Sequence, residues 1–221
     1  MRYEAQLAFK QKMVQNNLER IGGLSDFEMY PVIGMETPYA YRNKAQFPVG
    51  EDKDGNIVIG FYAGRTHHIV EQTDCCIGAP ENGEVLRKVK AYMQKNQIRP
   101  YNEEHHSGIV RHILIRTGYH TKEIMVCLIV NAAKASCLKN AEQLTESLRE
   151  MDGMTSVMVN FNTEKTNVIL GKKSEVLWGQ PYIEDFIGDV KYQISPQSFF
   201  QVNPMQTEKL YAKALEYAGL T

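Results

Sequence analysis

The sequence has no apolar run near the roughly 20 residues that a membrane-spanning helix needs, and it has no excess of charge of either sign. Lys and Arg contribute 25 side chains against 26 from Asp and Glu, which gives a formal net charge of −1 at pH 7. A membrane protein is therefore not expected, and a globally basic nucleic-acid-binding protein is excluded. Any contact with nucleic acid must come from a local patch of cations.

Cysteine is also scarce, and the spacing of the four cysteines does not fit a zinc site. Cys75 and Cys76 are adjacent, whereas Cys127 lies in an apolar strand-like run and Cys137 lies on a helix-like face. Structural zinc sites usually take pairs of cysteines that are separated by two to four residues. The segment 1–24 has the pattern of a polar helix rather than of a signal peptide. We therefore expect a reduced, cytosolic protein. We also expect it to be a monomer.

Hydrophobic periodicity predicts an α+β fold. A first helix ends at Gly22-Gly23, and strand-like runs follow, the first two joined by a hairpin at Asp54-Gly55. From about residue 67 the order is strand, helix, strand, strand, helix, strand. That order is typical of the split βαβ (ferredoxin-like or RRM-like) arrangement, an antiparallel sheet with both helices on one face. The stretches "TSVMVNFN" and "TNVILG" are predicted to form a further hairpin.

Cations are concentrated near the first strand. In "YRNKAQFPVG", Arg42 and Lys44 share one face of the predicted strand, because alternate side chains of a strand point to the same side. Two cations at this spacing can contact neighbouring phosphates of a nucleic acid. A solvated strand face explains the same pattern, since charged side chains are commonly exposed. Arg65 in "GRTHHIV" is a third cation, and the two histidines beside it favour a polar strand end over a metal site.

The adjacent Cys75 and Cys76 in "TDCCIG" leave two interpretations open. Neighbouring thiolates do not readily share one tetrahedral ion. One of them can still join ligands from elsewhere, as in a cysteine-ligated iron–sulfur cluster. Alternatively, both are small, half-buried residues, because free cysteine is among the most buried residue types.

The stretch "SPQSFFQVN" carries the most specific candidate site. Strand-like alternation places Phe199 and Gln201 on one side and Phe200 and Val202 on the other. The second side is expected to enter the core. The first side offers a ring beside an amide, the groups that recognise a flat nucleobase by stacking and hydrogen bonding. Asn203 is predicted to cap the helix that follows.

Five stretches in this order resemble the bacterial RNA uracil-C5 methyltransferases, and in particular the branch that methylates 23S ribosomal RNA. They are "YEAQLAFKQKMVQNNLERIGGL", "YRNKAQFPVG", "GFYAGRTHHIVEQTDC", "NTEKTNVILG" and "SPQSFFQVN". The resemblance implies an RNA substrate, S-adenosylmethionine as methyl donor and a 4Fe–4S cluster. It assigns one cluster ligand to Cys75, beside Cys76 at a position where the family often has proline. It assigns the contacts with the target uracil to Phe199 and Gln201.

The resemblance also implies a domain organisation. In such an enzyme an OB-type domain and three cluster cysteines precede the first helix seen here. The cofactor loop, the nucleophilic cysteine and the catalytic glutamate follow the last helix. The chain then comprises a helix at 1–24, a central α+β domain at 25–180, and the first elements of a Rossmann-like methyltransferase domain at 181–221. On this interpretation it is a fragment without catalytic residues, expected to hold neither S-adenosylmethionine nor an intact cluster.

One alternative is a freestanding α+β RNA-binding module without catalysis. The aromatic-rich signature of RRM modules is absent from the candidate central strands "VRHILIRTGY" and "EIMVCLIVN". This absence favours the methyltransferase interpretation.

Overall fold

The computed structural model describes residues 2–219. They form two compact units, of which the first ends at Pro38 and the second begins at Tyr39. The α-helices are α1 (Tyr3–Asn16), α2 (Asn82–Lys95), α3 (Ala141–Arg149) and α4 (Pro204–Ala218). The strands are β1 (Lys44–Glu51), β2 (Ile57–Tyr62), β3 (Ile69–Glu71), β4 (Val110–Thr117), β5 (Ile124–Val130), β6 (Met154–Phe161), β7 (Lys173–Gly179), β8 (Ile183–Ile187) and β9 (Val190–Ile194). None of the helices in these residues has both the length and the apolar composition needed to cross a bilayer.

The first unit is α1 with an extended segment along it. The helix continues through a π-helical turn, Asn17–Ile21, and is capped by Gly22, so the predicted end at Gly22-Gly23 is confirmed. The Gln11 side chain accepts a hydrogen bond from the Val32 backbone N–H at 2.9 Å and donates one to the Tyr30 carbonyl at 3.2 Å. These bonds fix the extended segment although α1 buries none of its side chains.

The second unit is built on a seven-stranded sheet with the order β3-β2-β1-β4-β5-β6-β7. All neighbouring strands in it are antiparallel except β5 and β6. Helices α2 and α3 pack on one face, where their apolar side chains join those of β1, β2, β4, β5 and β6 in the main core. The predicted α+β class, the mainly antiparallel sheet and the common face of the two helices are confirmed.

The strand order differs from the split βαβ arrangement. Strands β5 and β6, which α3 connects, are parallel and immediate neighbours, and β3 lies at the edge of the sheet. The reason is that β1, from the preceding sequence, takes the position beside β4, with apolar pairs such as Phe47 opposite Ile113. Burying these side chains between sheet and helices outweighs the local order of elements.

The predicted hairpin at Asp54-Gly55 is confirmed, and β4 and β5 also pair as an antiparallel hairpin. The predicted pairing of "TSVMVNFN" with "TNVILG" is wrong, because β6 pairs with β7 instead. The Asn160 side chain binds both backbone groups of Gly171, accepting from its N–H at 2.7 Å and donating to its carbonyl at 3.0 Å. Asn162 donates to the carbonyls of Val168 and Ile169 at 2.7 and 2.9 Å. These amides hold the segment as a loop.

The other face of the sheet is covered by the end of the chain. Leu114, Met125, Cys127, Ile129 and Met158 project from the sheet on this side and form a second core with Ile183, Ile194 and Phe200. The β8–β9 hairpin and the residues after it therefore pack directly on the central strands. The domain boundary between residues 180 and 181 stays a prediction.

Candidate functional site

Asn43 joins two sequence segments that lie far apart in the chain. It is buried, and its side-chain Nδ2 donates to the Gln201 carbonyl at 3.0 Å. Its backbone N–H donates to the Val202 carbonyl at 3.1 Å, and its own carbonyl accepts from the Thr117 N–H at 2.9 Å. The predicted RNA-binding stretch and the predicted uracil-binding stretch are therefore adjacent in space.

The cysteine pair joins the same region. The backbone N–H of Ala40 donates to the Cys76 carbonyl, and that of Arg42 donates to the Ile77 carbonyl, each at 2.9 Å. Half-buried Cys75 thus faces a groove of about 380 Å³ whose lining includes Arg42, Lys44, Asn82 and Val202. Asn82 is buried, and its Nδ2 has no hydrogen-bond partner among residues 2–219. The groove therefore offers cations and an unpaired donor to an anion or a carbonyl oxygen.

The stretch "SPQSFFQVN" is a loop and not a strand, since β9 ends at Ile194 and α4 begins at Pro204. The two rings nevertheless face opposite ways. Phe199 is 86% exposed, whereas Phe200 is 8% exposed and packs 5.5 Å from the Tyr192 ring. The prediction that Phe200 enters the core is confirmed. The predicted alternation of buried and exposed side chains does not extend to Val202. This residue was expected in the core, but it is half-buried, as Gln201 is.

Arg116, on β4, holds this loop by hydrogen bonds to its backbone. It is 2% exposed, and its Nη2 donates to the Pro196 carbonyl at 3.2 Å and to the Ser198 carbonyl. Burial lowers the Arg116 pKa to about 10, so the guanidinium stays protonated at neutral pH. A buried cation that binds two loop carbonyls holds the backbone next to Phe199 in one conformation. Phe199 is thus an exposed side chain on a loop whose backbone Arg116 holds in place.

Three cations lie close together beside the loop. Lys44 is directly opposite Arg116 in the β1–β4 register, and Arg42 precedes it by two residues. Burial, followed by the charges of Arg116 and Arg42, lowers the Lys44 pKa. No carboxylate within residues 2–219 forms an ion pair with any of the three. Like charges without a counter-charge favour the binding of an anion such as phosphate.

Other predicted residues lie apart from this region. Arg65 is exposed in the β2–β3 turn with φ 63°. His67 is paired with Glu103 at 2.6 Å beside a separate cavity of about 300 Å³. Across the part of the chain that the structure describes, no three His, Cys, Asp or Glu side chains form a metal site. Residues 2–219 by themselves therefore do not supply the ligands of an iron–sulfur cluster, and Cys75 as a ligand stays a prediction.

Asn43 and Arg116 were not among the site residues predicted from the sequence. Each carried a signal: Asn43 alternates with the two cations, and Arg116 is a charge inside the apolar strand "VRHILIRT". A buried charge requires partners, and that requirement alone would have marked Arg116 as a candidate. What it binds depends on the tertiary fold.

Replacing Arg116 with methionine should lower the free energy of unfolding by about 1–3 kcal/mol, because the buried Pro196 carbonyl and the partly buried Ser198 carbonyl lose their donor. It should also speed amide hydrogen exchange at Ser198, whose N–H donates to the Ser195 carbonyl in the turn. Denaturant titration and exchange mass spectrometry measure the two effects. Lys53→Met, at an exposed position in the β1–β2 turn, is the control. Equal exchange in both variants would show that Arg116 does not hold the loop.

Comparisons with known proteins agree with this architecture. The chain is 47% identical over 222 residues to an uncharacterized RNA methyltransferase of Halalkalibacterium halodurans, which covers 100% of this chain and 48% of that protein. An uncharacterized RNA methyltransferase of Clostridium tetani is 46% identical over 221 residues, covering 100% of this chain and 47% of that protein. No protein-family model matches the chain.

A solved structure resembles the fold. The Pyrococcus abyssi tRNA (uracil-54, C5)-methyltransferase, in complex with S-adenosyl-L-homocysteine, superposes with a TM-score of 0.78 at 27% identity. The match covers 98% of this chain and 48% of that one. The chain thus has RNA methyltransferases as homologues along its length, and it spans about half the length of the curated relatives it matches.

Proposed function

We propose that this chain is part of an enzyme that transfers a methyl group from S-adenosylmethionine to C5 of a uridine in RNA. The RNA that we propose as its substrate is 23S ribosomal RNA. One observation carries the proposal: Phe199 is exposed on a loop that the buried Arg116 holds, beside two further cations, Arg42 and Lys44, which have no carboxylate partner within residues 2–219. The homologues named as RNA methyltransferases support the enzyme class. The choice of ribosomal RNA rests on the family resemblance.

The arrangement suits recognition of an extruded base. A uracil must leave the RNA stack before an enzyme can reach its C5 atom. An exposed ring at Phe199 replaces the lost stacking, and the half-buried Gln201 amide can donate to and accept from the polar edge of the base. Arg42 and Lys44 then neutralise the phosphates of the extruded nucleotide, with Arg65 as a more distant contact.

The reaction requires a cysteine nucleophile and a base, which the family resemblance assigns to a part of the enzyme outside this chain. A cysteine thiolate adds to C6, C5 takes the methyl group from the sulfonium, and a base removes the C5 proton before the thiolate leaves. Burial raises the pKa of Cys127 to about 12 and also raises the pKa of Cys137. Both thiols are therefore poor nucleophiles at neutral pH.

The isolated chain should consequently bind and present RNA without methylating it. Incubation of the 221-residue chain with S-adenosylmethionine carrying a labelled methyl group and with ribosomal RNA should give no transfer above background. Calorimetry should likewise detect no tight binding of the methyl donor. Stoichiometric transfer by the chain alone would show that it contains a complete active site.

The cations Arg42 and Lys44, together with the more distant Arg65, should determine the salt dependence of RNA binding. Glutamine at Arg42, Lys44 or Arg65 should reduce the slope of log affinity against log salt by about 0.7–1 unit for each phosphate that the variant no longer neutralises. Lys53→Gln is the matched control, because it removes a charge at the opposite end of β1. A slope unchanged from wild type in the Arg42→Gln/Lys44→Gln double variant would mean that the cluster is solvated surface.

Nucleoside mass spectrometry tests the proposed activity itself. The full-length enzyme, incubated with S-adenosylmethionine and either 23S ribosomal RNA or tRNA, should produce 5-methyluridine in the ribosomal RNA. Methylation of tRNA alone would refute the ribosomal target and retain the reaction. A methyl group on any atom other than uridine C5 would refute the proposed chemistry.

A further inference from the structure

A second cavity adjoins the groove. It has a volume of about 230 Å³ and lies at the turn between β4 and β5. Its lining includes Tyr41, Arg42, Asn43, Tyr119 and Lys122. Arg42 lines both cavities and is the cation between them. Two neighbouring recesses that share one cation match the repeat of a nucleic-acid strand, in which a phosphate links consecutive bases.

Hydrogen bonds to β8 hold the turn that carries Tyr119. Asp185 of β8 is 0% exposed, and its carboxylate accepts from the backbone N–H groups of Tyr119 at 2.8 Å and His120 at 2.9 Å. The Thr121 hydroxyl donates to the Glu184 carbonyl at 2.6 Å. A buried carboxylate committed to two backbone amides fixes the position of the turn, and with it the Tyr119 ring.

Lys122 also lines the cavity, and its backbone has an unusual conformation. Its φ is 62°, in the left-handed region that a residue other than glycine adopts only at a cost. In this conformation its ammonium lies 4.9 Å from the centre of the Tyr119 ring. The ammonium thus lies over the Tyr119 ring, and the cavity combines an aromatic ring with a cation, as single-stranded RNA sites do.

We propose that this cavity is a second nucleotide subsite, which holds the RNA nucleotide next to the target uridine. The base stacks on Tyr119, and the phosphate between the two nucleotides lies between Arg42 and Lys122. The inference rests on the proposed function, because it extends the same RNA surface by one nucleotide.

Charge and size support a nucleotide as the occupant. One carboxylate, that of Glu81, lines the cavity together with the two cations, so the net charge of its lining favours an anion. The volume is smaller than the roughly 300 Å³ at which pockets for drug-sized ligands begin, which suits a single base. Stacking tolerates every base, so this subsite should add affinity without strong sequence preference.

Binding of fluorescein-labelled hexauridylate to the chain at low salt tests the subsite. Tyr119→Ala should weaken the affinity about five- to a hundredfold, the usual range for the loss of one stacked base. Lys122→Gln should reduce the salt slope by about 0.7 unit, as expected for one phosphate on a single strand. The matched control is Tyr217→Ala on α4, which removes an exposed tyrosine that also has a lysine, Lys213, 5.8 Å from its ring.

The outcomes distinguish a failure of the subsite from a failure of the proposed function. Loss of affinity in Tyr119→Ala at an unchanged melting temperature, with Tyr217→Ala like wild type, supports the subsite. If Arg42→Gln and Phe199→Ala weaken binding but Tyr119→Ala and Lys122→Gln do not, the subsite is refuted and the proposed function stands. If the wild-type chain binds no RNA at low salt, both are refuted.

Discussion

Replacing Phe199 with alanine is expected to lower kcat/KM for uridine methylation by the full-length enzyme by about one to two orders of magnitude. The ring is 86% exposed, so within this chain it contributes little to stability. Stacking on an extruded base is worth roughly 1–3 kcal/mol, and the variant forgoes that free energy because it has no ring. Single-turnover assays with saturating methyl donor measure the effect on the chemical step and on RNA binding separately.

The melting temperature distinguishes recognition from folding. Phe199→Ala should melt like wild type while it methylates slowly, and Phe199→Trp should restore much of the activity because it restores a stacking surface. If Phe199→Ala melts early but methylates normally per folded molecule, the ring belongs to the core and not to the binding surface.

The neighbouring substitution, Phe200→Ala, should have the opposite effect. Phe200 is 8% exposed and packs with Ile183, Ile194 and Leu114 where the end of the chain covers the sheet. Removing a buried phenylalanine typically costs about 3–5 kcal/mol, through reduced apolar burial and the cavity left behind. Urea denaturation of the chain measures this destabilisation, with Phe199→Ala as a control that removes the same side chain one residue away.

Activity adds a second criterion for this pair. Under conditions in which Phe200→Ala is still folded, its methylation rate per folded molecule should fall less than that of Phe199→Ala. A Phe200→Ala chain as stable as wild type would mean that the loop after β9 does not pack on the sheet.

Local signals in the sequence predicted local structure well. Asp54-Gly55 gave the β1–β2 hairpin because Gly55 adopts φ 81°, a conformation that glycine tolerates. Asn203 was predicted as the cap of α4, and its side-chain oxygen accepts from the Gln206 N–H at 3.2 Å. Both features depend on a few consecutive residues, so they can be read without knowledge of the fold.

Features that depend on distant residues could not be predicted in this way. Arg116 acts on the loop after β9 only because β1 and the end of the chain both lie against β4. The segment 166–171 has the apolar pattern of a strand, but the amides of Asn160 and Asn162 bind its backbone and prevent pairing. Side chains that satisfy backbone groups compete with strand pairing, and sequence periodicity does not detect this competition.

Photocrosslinking of RNA that contains 4-thiouridine most directly tests the central claim, that the loop after β9 presents Phe199 to a uridine. The chain, irradiated with a labelled oligonucleotide at low salt, should carry the crosslink on the peptide that contains Phe199 and Gln201. The Phe199→Ala and Arg42→Gln variants should lose most of that product, and Lys53→Gln should retain it. Crosslinks confined to the separate cavity at His67 and Glu103, or a yield at the loop that Phe199→Ala leaves unchanged, would contradict the account.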